Sequence, residues 1–168
     1  MSELQRELRH TSGSGSQAID VTYRGTVYPS QCDHMGHMNV MGYVGKFDEA
    51  SWQLISTLGL TPERLRREGI GMAAVEQHIE YRRELFAGDV VTIRSSVREV
   101  TEKSIKLIHE MTNDGRGEIA ATTTVVGIHL DTTTRRARAL PPDVRERALL
   151  VTRNRPSDAV PALPGATE

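Results

Sequence analysis

The sequence contains one cysteine, Cys32, one tryptophan, Trp52, and two phenylalanines among 168 residues. A single cysteine excludes an intramolecular disulfide and fits a reducing compartment, so a cytoplasmic location is expected. No apolar run approaches the ~20 residues that span a bilayer. The N-terminus lacks the basic start, apolar middle and small-residue cleavage site of a secretory signal, and no membrane partner is expected. Charge of one sign is also scarce, with a formal net charge of −1. Displacing counterions from nucleic acid needs a basic stripe, and none is visible, so no nucleic-acid partner is expected. Two short arginine clusters, one at Arg64, Arg66 and Arg67 and one at Arg135, Arg136 and Arg138, read as solvated surface or as contacts for a phosphate-bearing ligand.

The ends of the chain lack core-forming residues. The stretch from Met1 to Gln17 is polar and carries a run of alternating serine and glycine, and the stretch after Thr152 is rich in Pro, Arg and Ser. Such segments bury too little apolar area to offset the entropy of ordering them. Residues 1–19 and 151–168 are therefore expected to be disordered, around one domain at 20–150, a length sufficient for a single core.

Within that domain the hydrophobic period changes along the chain. Residues 20–29 alternate as a strand does, and Pro29 ends the run. After a polar loop, Val40, Tyr43, Val44, Phe47, Ala50, Leu54, Ile55 and Leu58 recur at helical spacing, with Asn39 as N-cap and Gly59 as stop. One apolar stripe on a long helix must face something broad, such as a sheet. Thr61 and Pro62 open a short second helix that Gly69 closes. From about residue 72 to 130 the period becomes two. Turn signals at Ala87-Gly88-Asp89, Thr101-Glu102-Lys103 and Asn113-Asp114-Gly115 divide this stretch into four strands. Strands joined by tight turns are antiparallel, and a short helix at 144–150 follows. The expected class is α+β. Long edge strands are a liability unless paired, so a homo-oligomer is expected.

Two segments resemble the 4-hydroxybenzoyl-CoA thioesterase-like family. The first is Asp33-His34-Met35-Gly36-His37-Met38-Asn39 with Tyr43 and the following Phe47-Asp48-Glu49-Ala50. The second is Ile79-Glu80-Tyr81 with Gly88-Asp89-Val90-Val91. The resemblance covers about 20–150 and implies the hot-dog fold, in which a sheet wraps a long central helix. It implies hydrolysis of acyl-coenzyme A, with Asp33 as nucleophile or general base in a cleft between subunits of a homodimer or homotetramer. It also implies that the Val40 backbone N–H polarises the thioester carbonyl, and that a neighbouring subunit's strand near Val75–Glu80 completes the site.

The chemistry of the residues agrees with this. A helix start offers unpaired N–H donors and a positive dipole end for a developing oxyanion. A carboxylate just upstream can attack a carbonyl or take a proton from water. Gly36 lets backbone approach a ligand closely. No metal or cofactor is needed.

Each residue also has a plainer reading. Asp33 is a common turn residue before glycine. Cys32, His34 and His37 have a metal-like density, but no second ligand pair appears, so no metal is expected. His37 orients the loop or lines the cleft. Asn39 caps the helix and steadies the loop. Tyr43 is helix core that borders the acyl pocket. Glu49 is a reserve carboxylate, because a related thioesterase group uses a helix glutamate. Trp52 is core, or with Glu76 and His78 from the facing strand it meets a cationic acyl group such as a quaternary ammonium. Arg82, Arg83, Arg135 and Arg136 are candidates for the coenzyme A phosphates. Two other functions compete: a hot-dog dehydratase or hydratase, and a non-catalytic acyl-CoA binding module.

Overall fold

The computed structural model describes residues 20–153. Of the segments 1–19 and 151–168, read from sequence as disordered, residues 151–153 instead continue the last helix and the rest lie outside the described residues. Five strands form one antiparallel sheet: β1 Asp20–Thr26, β2 Ile70–Tyr81, β3 Val90–Val100, β4 Ser104–Asn113 and β5 Glu118–Asp131. Their order across the sheet is β1-β3-β4-β5-β2. The long helix α1, Val40–Thr57, lies over β1, β3 and β4. The short α2, Pro62–Glu68, leads into β2, and α3, Pro142–Arg153, covers β3. This is the hot-dog arrangement expected from the sequence.

The helix limits follow from local chemistry. Asn39 Oδ1 accepts the Gly42 N–H at 3.0 Å and so starts α1. Gly59, at φ 99°, turns the chain out of its far end. Thr61 Oγ1 accepts the Arg64 N–H, Pro62 occupies the first turn of α2, and Gly69 ends it in the left-handed region. The Arg64 guanidinium then reaches both carboxylate oxygens of Asp143, at 2.8 and 3.0 Å, and ties α2 to the first turn of α3.

The strand order differs from a simple run of hairpins. The sequence reading joins β2 to β3 by a tight turn. Among the described residues β2 pairs only with β5, while β3 lies between β1 and β4. Residues 82–89 therefore carry the chain from one edge of the sheet to its other half. This crossing is held from inside: Leu85 is fully buried and its carbonyl accepts the Met38 N–H at 2.7 Å.

A polar row crosses the middle of the inner sheet face and separates two apolar clusters. One cluster centres on Phe47, Ile93 and Met111, the other on Leu54, Leu107 and Val144. In the row, Ser95 pairs with His109 and His109 with Thr123. His109 is fully buried. Its Nε2 lies 3.0 Å from Ser51 Oγ on α1, and its Nδ1 lies 2.5 Å from Ser95 Oγ. Ser51 spends its own proton on the Phe47 carbonyl at 2.8 Å. The Nε2–H must therefore donate to Ser51, while Nδ1 shares a hydrogen bond with Ser95 Oγ, which in turn lies 2.5 Å from Thr22 Oγ1. Burial pushes the His109 pKa down to about 4, so the ring is neutral at pH 7 and, with Nε2 protonated, Nδ1 accepts from Ser95.

The unfolded chain therefore binds a proton at His109 at a higher pH than the folded one does. The stability from burying a neutral ring is fully present above the usual imidazole range and is lost as pH falls toward about 4. Between pH 7.5 and pH 5, His109 should cost the fold about 2 kcal/mol. Urea melts at the two pH values should show a smaller pH-dependent loss in His109→Gln than in the native chain.

Candidate active site

The loop before α1 is built around a two-residue bridge. Cys32 pairs with Met38 as an antiparallel bridge, and the Asp33 N–H donates to the His37 carbonyl at 3.2 Å. Asp33 lies at the exposed tip. Its Oδ1 accepts the Met35 N–H at 2.8 Å, and its backbone carbonyl accepts the Gly36 N–H at 3.0 Å. Gly36 takes φ 85°, which the turn requires and a side chain would resist. One carboxylate oxygen is thus used to hold the turn. Oδ2 has no hydrogen-bond partner among the described residues.

The loop is anchored against the helix start. Met38 is buried, and the Asn39 N–H donates to the Gln31 carbonyl at 2.9 Å. A Cβ on Gly42 would meet Met38 Cγ at 2.6 Å, so the close seat of the loop depends on that glycine. The Gly42 N–H is taken by the Asn39 cap. The N–H groups of Val40 and Met41 have no acceptor among the described residues. Val40 is also exposed.

Asp33, His37, Asn39, Val40 and Tyr43 line one cleft with Tyr81, Arg82, Arg83 and Glu84, and its volume is ≈ 260 Å³. His37 Nε2 lies 3.7 Å from Glu84 Oε1, which links the loop to the crossing segment. Tyr43 donates to the Arg83 carbonyl at 3.3 Å and packs edge-on against Tyr81 at 5.1 Å. Burial pushes the Tyr43 phenol up to about 12, so it stays a neutral donor. Arg82 is held by Glu80 at 2.9 Å, and Arg83 lies 3.9 Å from Glu118. Arg135 and Arg136 follow the far end of β5, beside Asp131, and do not line this cleft.

A second cavity begins one helical turn further along α1. Val44, Asp48, Ser51, Trp52 and Ile55 form its helix wall, and Met72, Ala74, Gln77, Ile105, Leu107, Val125 and Gly127 form its sheet wall. Its volume is ≈ 160 Å³. Trp52 therefore belongs to this cavity rather than to the cleft around Asp33. Glu49 is exposed and lines neither.

Glu76 and His78 lie on the outer sheet face. Strict alternation from Met72 and Ala74 would turn them inward. A bulge at Val75 shifts the register, so Ala74 pairs with Gly127 but Glu76 pairs with Val126. Beyond it, Gln77, Ile79 and Tyr81 face the helix, while Glu76, His78 and Glu80 face out. Among the described residues, no group of three His, Cys, Asp or Glu side chains is placed to hold a metal ion. No helix among them is long and apolar enough to cross a membrane.

Among the buried polar residues, His109 and Lys46 carry no local mark of burial in the sequence. His109 occupies an ordinary inward position of an alternating strand, and nothing local marks it. Lys46 looks like a solvated helix residue. Its ammonium is in fact buried and donates to Tyr23 Oη at 2.9 Å and to the Thr26 carbonyl at 3.2 Å. It ties α1 to β1.

Comparison with known proteins places these features in a setting. The sequence model of the Thioesterase-like superfamily matches residues 27–148. The L-carnitine dehydrogenase/betainyl-CoA thioesterase of Agrobacterium fabrum is 31% identical over 110 residues, which is 66% of this chain and 22% of that protein. The chain thus spans about a fifth of the length of that relative. The long-chain acyl-CoA thioesterase of Escherichia coli is 26% identical over 111 residues, covering 66% of this chain and 83% of that one. Among solved structures, a Staphylococcus aureus protein in complex with CoA matches with a TM-score of 0.80 at 23% identity, over 89% of this chain and 94% of that chain.

The N-cap gives a direct test of how the loop and helix are joined. Asn39→Ala should lower stability by about 1 kcal/mol, and Asn39→Ser should recover most of it. Chemical denaturation of the three proteins measures this.

Proposed function

Because the chain belongs to the Thioesterase-like superfamily, we propose that it is an acyl-CoA thioesterase, which converts an acyl-CoA and water into a carboxylate and free CoA. The observation that carries this reading is the cleft shared by Asp33 and the start of α1. A thioester needs two things at once: an attacking oxygen, and donors where negative charge develops on the carbonyl oxygen. Asp33 has a free carboxylate oxygen for the first. The unpartnered Val40 N–H, at the positive end of an 18-residue helix, suits the second.

In the proposed reaction the carbonyl oxygen points at the Val40 N–H. Asp33 takes a proton from water as the water oxygen attacks the carbonyl carbon. The carbon–sulfur bond then breaks, and CoA leaves as a thiolate that collects the proton. Alternatively the Asp33 carboxylate attacks the carbonyl carbon and expels the CoA thiolate; water then hydrolyses the resulting anhydride, which returns the Asp33 carboxylate, releases the product carboxylate and leaves a proton for the thiolate. Gly36 keeps the loop open to the thioester, and His37, tethered near Glu84, fixes its orientation. Asn39 keeps the helix start aimed at the cleft, and Tyr43 supplies its wall. Arg82 and Arg83, on the cleft rim, are placed to meet phosphate groups of CoA.

The reading extends to assembly. Among the described residues β2 pairs on one side only, and its exposed edge includes Val75. Pairing of that edge with a second copy would cover it and bring the Val75–Glu80 segment, with Glu76 and His78, toward another subunit's cleft. Sedimentation should give a dimer or a dimer of dimers. A stable monomer with full activity would remove the shared-site part of this reading.

Free-thiol release from an acyl-CoA panel tests the activity itself. Asp33→Asn should lower kcat by about a hundredfold or more with an unchanged circular dichroism spectrum. An undiminished rate would remove Asp33 from the chemistry. Tight binding of acyl-CoA without hydrolysis would favour a binding module instead.

A further inference from the structure

The second cavity lies in line with the first along the same two elements. The Asp33 cleft is walled by Val40 and Tyr43 on α1 and by Tyr81 on β2. The cavity is walled by the next turns of the same two elements, Val44 on α1 and Gln77 on β2. The two elements run in opposite directions, so the two cavities follow one another from the helix start toward Trp52, with Ile79 between them on β2. The floor of the second is set by two neighbouring cross-strand rows, Gln77–Val125–Leu107 and Ala74–Gly127–Ile105. Space exists because the second row is small at Ala74 and bare at Gly127. A Cβ on Gly127 would already meet Met72 Cε at 3.0 Å.

We propose that the two cavities act as one trough that holds the acyl chain, and that the substrate is a straight, medium-chain acyl-CoA of about ten to twelve carbons. The proposal rests on the thioesterase reading above and adds its substrate class. The length follows from two segments. From the Val40 N–H to Val44 is one helical turn, about 6 Å, which takes the carbonyl carbon and about four more at ~1.3 Å per carbon. A cavity near 150 Å³ accommodates a six-carbon apolar body, so one of ≈ 160 Å³ takes about six further carbons. The walls are apolar apart from Asp48, Ser51 and Gln77. Ser51 Oγ already donates to the Phe47 carbonyl and accepts from His109, so it does not demand a polar partner.

The same geometry separates this class from a short cationic one. A betainyl group carries its ammonium one methylene from the carbonyl. With that carbonyl at Val40, the ammonium would stop well short of Trp52, twelve residues or about 18 Å along the helix. At ~1.3 Å per carbon a twelve-carbon chain runs about 14 Å from that carbonyl, which brings its end to the Trp52 side chain where it leans back toward the helix start.

Trp52 is the only tryptophan in the sequence, so it reports on the trough without any need for turnover. The non-hydrolysable thioether S-dodecyl-CoA should shift and change its emission, whereas S-butyl-CoA and CoA should not. In hydrolysis, kcat/KM across the C4 to C18 acyl-CoA series, with benzoyl-CoA and betainyl-CoA alongside, should peak at C10–C12. Val44→Phe narrows the trough at its entry and should lower the C12-to-C4 ratio of kcat/KM at least tenfold. Val125→Phe narrows it from the sheet side and should do the same, while Trp52→Ala should move the optimum to longer chains. Hydrolysis that prefers C4, benzoyl or betainyl substrates, or a ratio unchanged in both folded phenylalanine variants, would overturn the trough and leave the thioesterase reading standing. A Trp52 response to S-dodecyl-CoA without release of thiol from any substrate would do the reverse. No response to S-dodecyl-CoA would overturn the proposal outright.

Discussion

The buried hydrogen-bond chain through His109 constrains how everything else is arranged. It runs from Thr22 on β1 through Ser95 on β3 and His109 on β4 to Ser51 on α1. It therefore touches three strands and the central helix at one level of the sheet. Apolar contacts tolerate sliding by a fraction of a turn, but directed hydrogen bonds in a dry interior do not. A helix displaced along its axis would leave Ser51 or His109 unpaired at a cost of about 1–3 kcal/mol. The chain thus fixes the position of α1, and with it the height of the helix start above the Asp33 loop.

That fixed helix is shared between two tasks. Its inner side, with Phe47, Ala50 and Leu54, packs the core over β1, β3 and β4. The adjoining side, with Val44, Asp48 and Trp52, faces the β5–β2 half of the sheet across open space. An offset helix covers half of a sheet and leaves a trough over the other half. The crossing segment at 82–89 closes the end of the molecule where the loop sits, and Leu85 holds it under Met38. Core packing and the shape of the cavity are therefore consequences of one offset.

Features set by local chemistry were legible in the sequence. Asn39, Gly59, Thr61, Pro62 and Gly69 mark helix ends because capping and left-handed backbone depend on residue type at one position. The hydrophobic period located α1 and all five strands. The loop from Asp33 to Asn39 stood out through its residue types and their resemblance to a known motif, and Asp33, His37, Asn39, Val40 and Tyr43 do share a cleft. Features set by distant pairing were not legible. An eight-residue connection reads like a long turn whether it joins neighbours or crosses the sheet, so the place of β2 beside β5 was hidden. The burial of Lys46 depends on Tyr23 and Thr26, more than twenty positions away or nearly so in the chain. The role of His109 depends on two partners on two other elements, Ser51 on α1 and Ser95 on β3.

The bulge at Val75 has a consequence for how such a chain diversifies. One extra residue decides which half of β2 is seen by the interior and which by the outside. Removing it would exchange Gln77, Ile79 and Tyr81 for Glu76, His78 and Glu80 along the wall, without altering a single codon for those six residues. A point substitution edits one surface atom group at a time. A length change at this position acts as a frame shift in three dimensions, replacing an uncharged lining by a largely charged one in a single step. Chains of this architecture therefore have a route to new substrates through insertion and deletion in a strand, where loops are usually expected to supply it.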